Sequence, residues 1–147
     1  MEDAVPEDAL PPDILQRGSR RGGEYAWRIQ DIPDVIEAAR AANLISTGGQ
    51  LQFRLLGGGT CECYWVEVDT YKSVDKTLPW AERVSHTAKV ALRDFEALKE
   101  RYDFIAEGQA GFADYLDALV VTGRDPADFM CFVWNVLSEA DEKALKL

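Results

Sequence analysis

Three cysteines and one histidine are the side chains of this chain with the greatest potential for chemistry. Cys61 and Cys63 lie two residues apart in a segment rich in β-forming residues, so we expect them on one face of a strand. With His86 and Cys131 they make four candidate zinc ligands, the number that a structural zinc site requires. However, the usual Cys-x-x-Cys turns are absent, and a cysteine in an apolar segment, such as Cys131, commonly packs as a small hydrophobic residue. Zinc binding and ordinary burial both stay open, and we expect no cofactor.

Nucleophilic catalysis in this chain would depend on His86, because it is the only histidine. Ser85 precedes it in a predicted helix, where adjacent side chains do not face each other. A triad of Cys63, His86 and an aspartate is compatible with the sequence, since triads form in space rather than along the chain. No signature of a catalytic family surrounds either residue, and the glycines at 57–59 lack the Lys-Ser/Thr of a phosphate loop. The sequence therefore predicts a protein that is not an enzyme by itself.

The charge of the chain restricts its partners. Its 147 residues include 26 Asp and Glu but only 16 Lys and Arg, which gives a formal net charge of −10. A phosphate-binding surface needs clustered basic side chains, so we expect no nucleic-acid partner. An acidic surface would attract a basic protein and accelerate the encounter, although acidity also serves solubility alone. The sequence contains neither a membrane-spanning apolar stretch nor a secretory signal, which predicts a cytoplasmic protein with no membrane partner.

Hydrophobic periodicity in the first half of the chain predicts a helix and a β-hairpin. Apolar residues at helical spacing indicate a helix over 32–43. Alternating residues over 50–55 and β-forming residues over 61–68 predict two strands joined by the glycine-rich turn. Residues 25–29 are expected to form either a short third strand or the entry to the first helix.

The second half of the chain is predicted to be entirely helical. Apolar residues repeat at spacings of three and four over 80–105, and a third helix is expected over 112–120. Asp125-Pro126 is typical of a helix start, so we expect a last helix that reaches about residue 142. The order β-α-β-β-α-α-α predicts an α+β fold, with a small antiparallel sheet packed against about four helices.

The N-terminal residues 1–22 differ in composition from the rest. They contain prolines at 6, 11 and 12 and a Gly- and Arg-rich stretch, which favours a flexible arm followed by one domain over 23–147. We interpret the basic patch at Arg17, Arg20 and Arg21 as part of a solvated linker.

Alternation along the predicted hairpin suggests a recognition surface. Tyr64, Val66 and Val68 share the face that helices should cover, whereas Cys61, Cys63 and Trp65 lie on the opposite, open face among acidic residues. Tryptophan is favoured at binding hot spots, although burial of Trp65 under the arm or a helix is equally compatible with the sequence. The residues predicted to bind a protein partner are Glu62, Trp65, Glu67, Asp69, Asp114 and Asp117.

The segment 27–65, about a quarter of the chain, contains a group of short motifs. They are an aromatic lead-in, a helix ending in Ala-Ala-Asn-Leu-Ile, the pair Gly48-Gly49 before a strand, and a glycine-rich turn followed by Cys-Glu-Cys-Tyr-Trp. This combination resembles immunity proteins of bacterial polymorphic-toxin and contact-dependent inhibition systems. The resemblance implies a stoichiometric inhibitor, or antitoxin, that occupies a cognate toxin domain, often a basic nuclease.

Two alternatives come from other functional classes. The apolar residues 129–137 would suit a structural or regulatory domain that self-associates through its last helix. Cys61, Cys63 and His86 would suit a small thiol- or metal-dependent enzyme.

Overall fold

The computed structural model describes residues 3–147 and confirms the α+β class. In this range, six strands form one antiparallel sheet in the order β1-β2-β5-β3-β4, and β6 pairs with β3 beyond the end of β5. The strands are β1 (Ser19–Arg21), β2 (Glu24–Trp27), β3 (Ile45–Arg54), β4 (Thr60–Asp69), β5 (Met130–Val133) and β6 (Asn135–Leu137). β1 and β4 are therefore the two edges of the sheet.

Five α-helices accompany the sheet in the described chain: α1 (Pro12–Arg17), α2 (Ile32–Ala41), α3 (Trp80–Arg101), α4 (Phe104–Val121) and α5 (Glu139–Ala144). α3 ends before the predicted residue 105, because Asp103 begins a new helix by accepting a hydrogen bond from Ala106 N at 3.1 Å. Between residues 3 and 147, no helix has both the length and the apolar character needed to cross a bilayer.

α2 confirms the helix predicted over 32–43. Its buried residues follow the apolar spacing read from the sequence: Ile32, Val35, Ile36 and Ala39. Asn43 takes a positive φ of 64° just beyond the helix, and Leu44 N donates to Ala39 O at 2.9 Å. This turn directs the chain into β3.

The hairpin of β3 and β4 is also confirmed, but its faces differ from the prediction. Gln50 pairs with Glu67 and Leu51 pairs with Cys63, so the three residues 64–66 of β4 form a bulge. Because the bulge shifts the alternation, Cys61 and Cys63 share the buried side with Val66 and Val68, while Tyr64 and Trp65 are both exposed. The predicted placement of Tyr64 on the covered face, and of the cysteines on the open face, was wrong.

The last helix predicted from Asp125 was also wrong. Asp125 caps only a short 3-10 turn, Pro126–Phe129, after which β5 runs between β2 and β3. Phe132 belongs to the main core, whereas Cys131 and Val133 belong to a separate cluster on the other face. A strand buried on both faces has no polar alternate residues, so its sequence cannot be distinguished by periodicity from a buried helix.

Residues 1–22 were predicted to form a flexible arm, and all but the first two lie in the described range. Leu10 and Ile14 are buried in the main core. Ile14 O accepts a hydrogen bond from Trp27 Nε1 at 2.8 Å, and the carboxylate of Glu7 accepts one from Val136 N at 2.9 Å. The described part of the segment therefore packs on the domain.

Helices α3 and α4 cover one side of the sheet. Phe95 of α3 packs edge-on against Phe132, with ring centroids 5.1 Å apart. Gly108 lets α4 approach closely, since a Cβ at this position would lie 2.3 Å from the ring of Phe53. This packing fixes α4 beside the edge strand β4.

Candidate functional site

The edge strand β4 exposes a row of acidic and aromatic side chains. Its exposed residues are Thr60, Glu62, Tyr64, Trp65, Glu67 and Asp69. The row contains three carboxylates and two large aromatic rings but no cation. The bulge adds Tyr64, whose side chain the sequence-based alternation had placed on the covered face.

The carboxylates of this row have no ion-pair partner in the part of the chain that the structure describes. Glu62 accepts a hydrogen bond from the amide of Gln52 at 3.2 Å, and Asp69 accepts one from the backbone N of Lys72 at 3.2 Å. Among the described residues, no Lys or Arg forms an ion pair with Glu62, Glu67 or Asp69. Their charges are therefore available to an external cation.

Two small cavities meet at Asp69. One, of about 170 Å³, also has Glu24 and Glu67 in its lining, and the other, of about 410 Å³, is lined by Glu7 and Tyr71. Among the residues that the structure describes, neither cavity has a Lys or Arg in its lining. Burial raises the pKa of Glu7, an effect that the hydrogen bond from Val136 N partly offsets. Acidic side chains therefore line both recesses at this end of β4.

Trp65 connects the β4 row to helix α4. Its Nε1 donates to Glu107 Oε1 at 2.9 Å, and its ring stacks on Phe112 with a centroid distance of 6.4 Å. Gly111 makes this contact possible, because a Cβ there would lie 2.5 Å from the indole. Trp65 is nevertheless 36% exposed, whereas Trp27 and Trp134 are at most 1% exposed.

The aromatic contacts continue along α4 to Asp114. Phe112 contacts Tyr115 with a centroid distance of 6.4 Å, and Tyr115 is 58% exposed. Asp114 and Tyr115 line a groove of about 560 Å³ together with Leu56 and Leu119. Asp114 lies beside the aromatic residues, whereas Asp117 is outside the groove lining and accepts a hydrogen bond from Gln109 at 2.7 Å.

These residues define what we name the β4–α4 surface: Glu62, Tyr64, Trp65, Glu67, Asp69, Glu107, Phe112, Asp114 and Tyr115. The structure brings five of the six predicted partner-binding residues into it and leaves Asp117 at its margin. Sequence reasoning missed Tyr64 and Tyr115, whose exposure depends on a bulge and on the packing of α4. Phe112 had been predicted only as part of the third helix, over 112–120.

The four candidate zinc ligands do not form a site. Cys61 and Cys63 are buried in the main core, Cys131 lies in the cluster on the other face, and His86 is exposed on α3. No group of three or more His, Cys, Asp or Glu between residues 3 and 147 is arranged to hold a metal ion. Burial raises the pKa of the Cys63 thiol to about 12 and that of Cys131 to about 11, so both thiols are protonated near neutral pH.

Comparison of this chain with models of protein families, with curated proteins and with solved structures finds no match. The resemblance to immunity proteins therefore rests on the short motifs in residues 27–65.

Proposed function

We propose that this protein is a protein-binding module of the immunity type, which neutralises a cognate toxin domain by covering its basic active site with the β4–α4 surface. One observation carries the proposal: the exposed row of β4 combines two aromatic rings with three carboxylates that form no ion pair within residues 3–147, and the row contains no cation. We place the protein in the cytoplasm, where it would meet such a toxin.

The proposed mechanism separates encounter from anchoring. The carboxylates of the row attract a basic partner over long range, and no internal ion pair has to break when the partner arrives. Trp65 is already held by Glu107 and Phe112, so little side-chain entropy is lost when its exposed edge is covered. Rigid aromatic residues surrounded by polar groups are typical of binding hot spots.

The two alternative functions have less support in the fold. Self-association was expected to use a helix over residues 129–137. The structure has no α-helix there, because these residues continue from a short turn into strands inside the sheet. A second copy that docked through the β4–α4 surface would place carboxylates against carboxylates. A thiol enzyme would need an accessible thiolate, but Cys61 and Cys63 are at most 1% exposed and burial raises the pKa of both.

The proposal is tested by growth rescue. The toxin domain encoded beside the gene for this protein is expressed in a bacterial host, alone and with the wild-type chain, which we expect to restore growth. A β4 variant carries Glu62→Lys, Glu67→Lys and Asp69→Lys, and we expect it to fail. The matched control carries Asp13→Lys, Glu82→Lys and Glu100→Lys at exposed positions of α1 and α3.

Both triple variants change the formal net charge from −10 to −4, so they differ only in where the charge is reversed. Rescue by the control but not by the β4 variant supports the proposal. Equal rescue by both variants would exclude the acidic row as the binding surface. A neighbouring toxin that the wild-type chain does not neutralise would argue against the immunity function itself.

A further inference from the structure

Four arginines line one cavity beside the edge strand β1. The cavity has a volume of about 340 Å³, and the arginines are Arg17, Arg21, Arg28 and Arg54. Asp128 is the only carboxylate among the described residues in its lining. In a chain with a net charge of −10, this is a local reversal of sign. We name this cavity the arginine pocket.

The positions of two of these guanidinium groups are fixed by neutral acceptors. Arg54 donates to Ser19 O at 2.7 Å and to Glu24 O at 3.0 Å, and it is only 8% exposed. Arg21 donates to Leu55 O at 2.7 Å and to Gly59 O at 2.8 Å. Neither arginine forms an ion pair with a carboxylate in the part of the chain that the structure describes.

The other two arginines are only partly neutralised. Arg17 contacts Asp34 at 2.9 Å and Asp31 at 3.4 Å, and Arg28 contacts the same Asp31 at 3.3 Å.

Arg21 keeps donors for a ligand, because a guanidinium carries five N–H groups. Since Arg21 uses two of its own in the carbonyl bonds, three are left for another acceptor.

The close approach of these like charges has a cost that an anion would offset. Burial is the main cause that lowers the pKa of Arg54, and the positive charge of Arg21 adds to it, while Cys131 and the carboxylate of Glu24 act in the opposite direction. The same two guanidiniums act on the thiol of Cys131, which places all three side chains around one space. An anion bound there would neutralise charge that the protein's own acceptors leave uncompensated.

The remaining walls of the pocket indicate the rest of the ligand. Leu56, Phe129 and Met130 contribute apolar surface. The volume lies near the lower end of the range of small-molecule sites, and arginine forks match the oxygens of carboxylates and phosphates. We propose that the arginine pocket binds a small organic anion, in which a carboxylate or phosphate is attached to an apolar group about the size of one aromatic ring.

The test uses calorimetric titration of the full chain with four probes: phenyl phosphate, benzoate, inorganic phosphate and benzyl alcohol. We expect saturable binding of phenyl phosphate or benzoate at one site per chain, at least about tenfold weaker binding of inorganic phosphate, and none of benzyl alcohol. If neither organic anion binds, the proposal is wrong. If inorganic phosphate binds as tightly as the organic anions, the proposed apolar part of the ligand is wrong.

Three variants locate the site. Arg21→Gln should weaken binding about tenfold or more, because a hydrogen bond to a charged group is lost. Arg28→Gln is the second test, since Arg28 is exposed and Asp31 is its one hydrogen-bond partner in the described chain, so folding should not depend on it. Arg124→Gln is the matched control on the rim of the groove beside α4. Equal weakening by the control, or unchanged binding in both pocket variants, would overturn the assignment.

Discussion

The two edge strands of the sheet carry side chains of opposite charge, and these side chains differ in the partners that hold them. On β1, Arg21 is held by backbone carbonyls, and nearby Arg17 by carboxylates, so the charged groups are ordered around a cavity. On β4, the carboxylates of Glu62 and Glu67 project from an exposed row and have no cationic partner in the described chain. Ordered arginines around a recess suit a small anionic ligand, whereas unpaired carboxylates along an exposed strand suit a large basic partner.

The largest expected effect comes from forcing apart β3 and β5, the central strands that lie between the two edges. A Cβ on Gly49 would lie 1.6 Å from Val133 O, so Gly49→Ala has to push β3 away from β5. We expect a loss of more than about 4 kcal/mol in the free energy of unfolding, measured by urea denaturation. The control is Gly57→Ala, where φ is +82° and no atom lies within 4 Å of the added Cβ. A cost of about 1 kcal/mol is expected there. Similar costs for both variants would contradict the close packing of β3 and β5.

The next largest effect should distinguish the arginine pocket from the acidic row of β4. Arg54→Met removes the hydrogen bonds to Ser19 O and Glu24 O and leaves these acceptors without their partner. We expect a loss of about 2–3 kcal/mol in unfolding free energy, whereas Glu67→Gln on the β4 row should change it by less than about 0.5 kcal/mol. If both substitutions cost the same, the charges of the arginine pocket and of the β4 row do not differ in their structural role.

Trp65 should contribute more to binding than to stability. Trp65→Ala removes the hydrogen bond to Glu107 and the stacking on Phe112, at a cost of about 1–2 kcal/mol in unfolding free energy. If Trp65 is a hot spot, affinity for the toxin domain should fall about 30-fold, as measured by titration. Trp65→Phe retains a ring for stacking, so its stability and its affinity should lie between those of the wild type and of Trp65→Ala. An unchanged affinity in Trp65→Ala would remove the aromatic anchor from the mechanism.

The smallest effect concerns pH and the cavity next to Asp69. Burial raises the pKa of Glu7 above its ordinary value of 4.5, so the folded state holds its proton more tightly than the unfolded state does. The contribution of Glu7 to stability is therefore fully present below about pH 4.5 and is lost as the pH rises through the folded-state pKa. Glu7→Gln keeps an acceptor for Val136 N but cannot titrate. Relative to the wild type, it should gain stability as the pH rises from 4 to 7 in urea unfolding, and a constant difference would contradict the raised pKa.

The fold was predictable from sequence where one face of an element is buried and the other is exposed. α2 and the β3–β4 hairpin have this pattern, and the structure confirms them. β5 does not, because Phe132 and Cys131 pack into clusters on opposite faces. The start signal Asp125-Pro126 suits a 3-10 turn as well as a helix, so local residues alone favoured the wrong element.

The candidate site was predictable in its residue types but not in its geometry. Exposed acids around Trp65 follow from composition and strand position. The bulge at 64–66 depends on the pairing of β4 with β3, and it exposes Tyr64 and directs Trp65 onto α4. The arginine pocket could not be predicted from the sequence for the same reason. Arg54 of β3 and Ser19 of β1 come together only when the sheet forms.

The central claim is that the acidic row of β4 binds a basic protein. It is tested most directly by titrating the purified toxin domain into the wild-type chain, the β4 triple variant and the matched triple control, each at low and high salt. We expect tight binding that weakens with salt for the wild type and the control, and at least about tenfold weaker binding for the β4 variant. Equal affinities for the two variants, or no salt dependence in the wild type, would contradict the account.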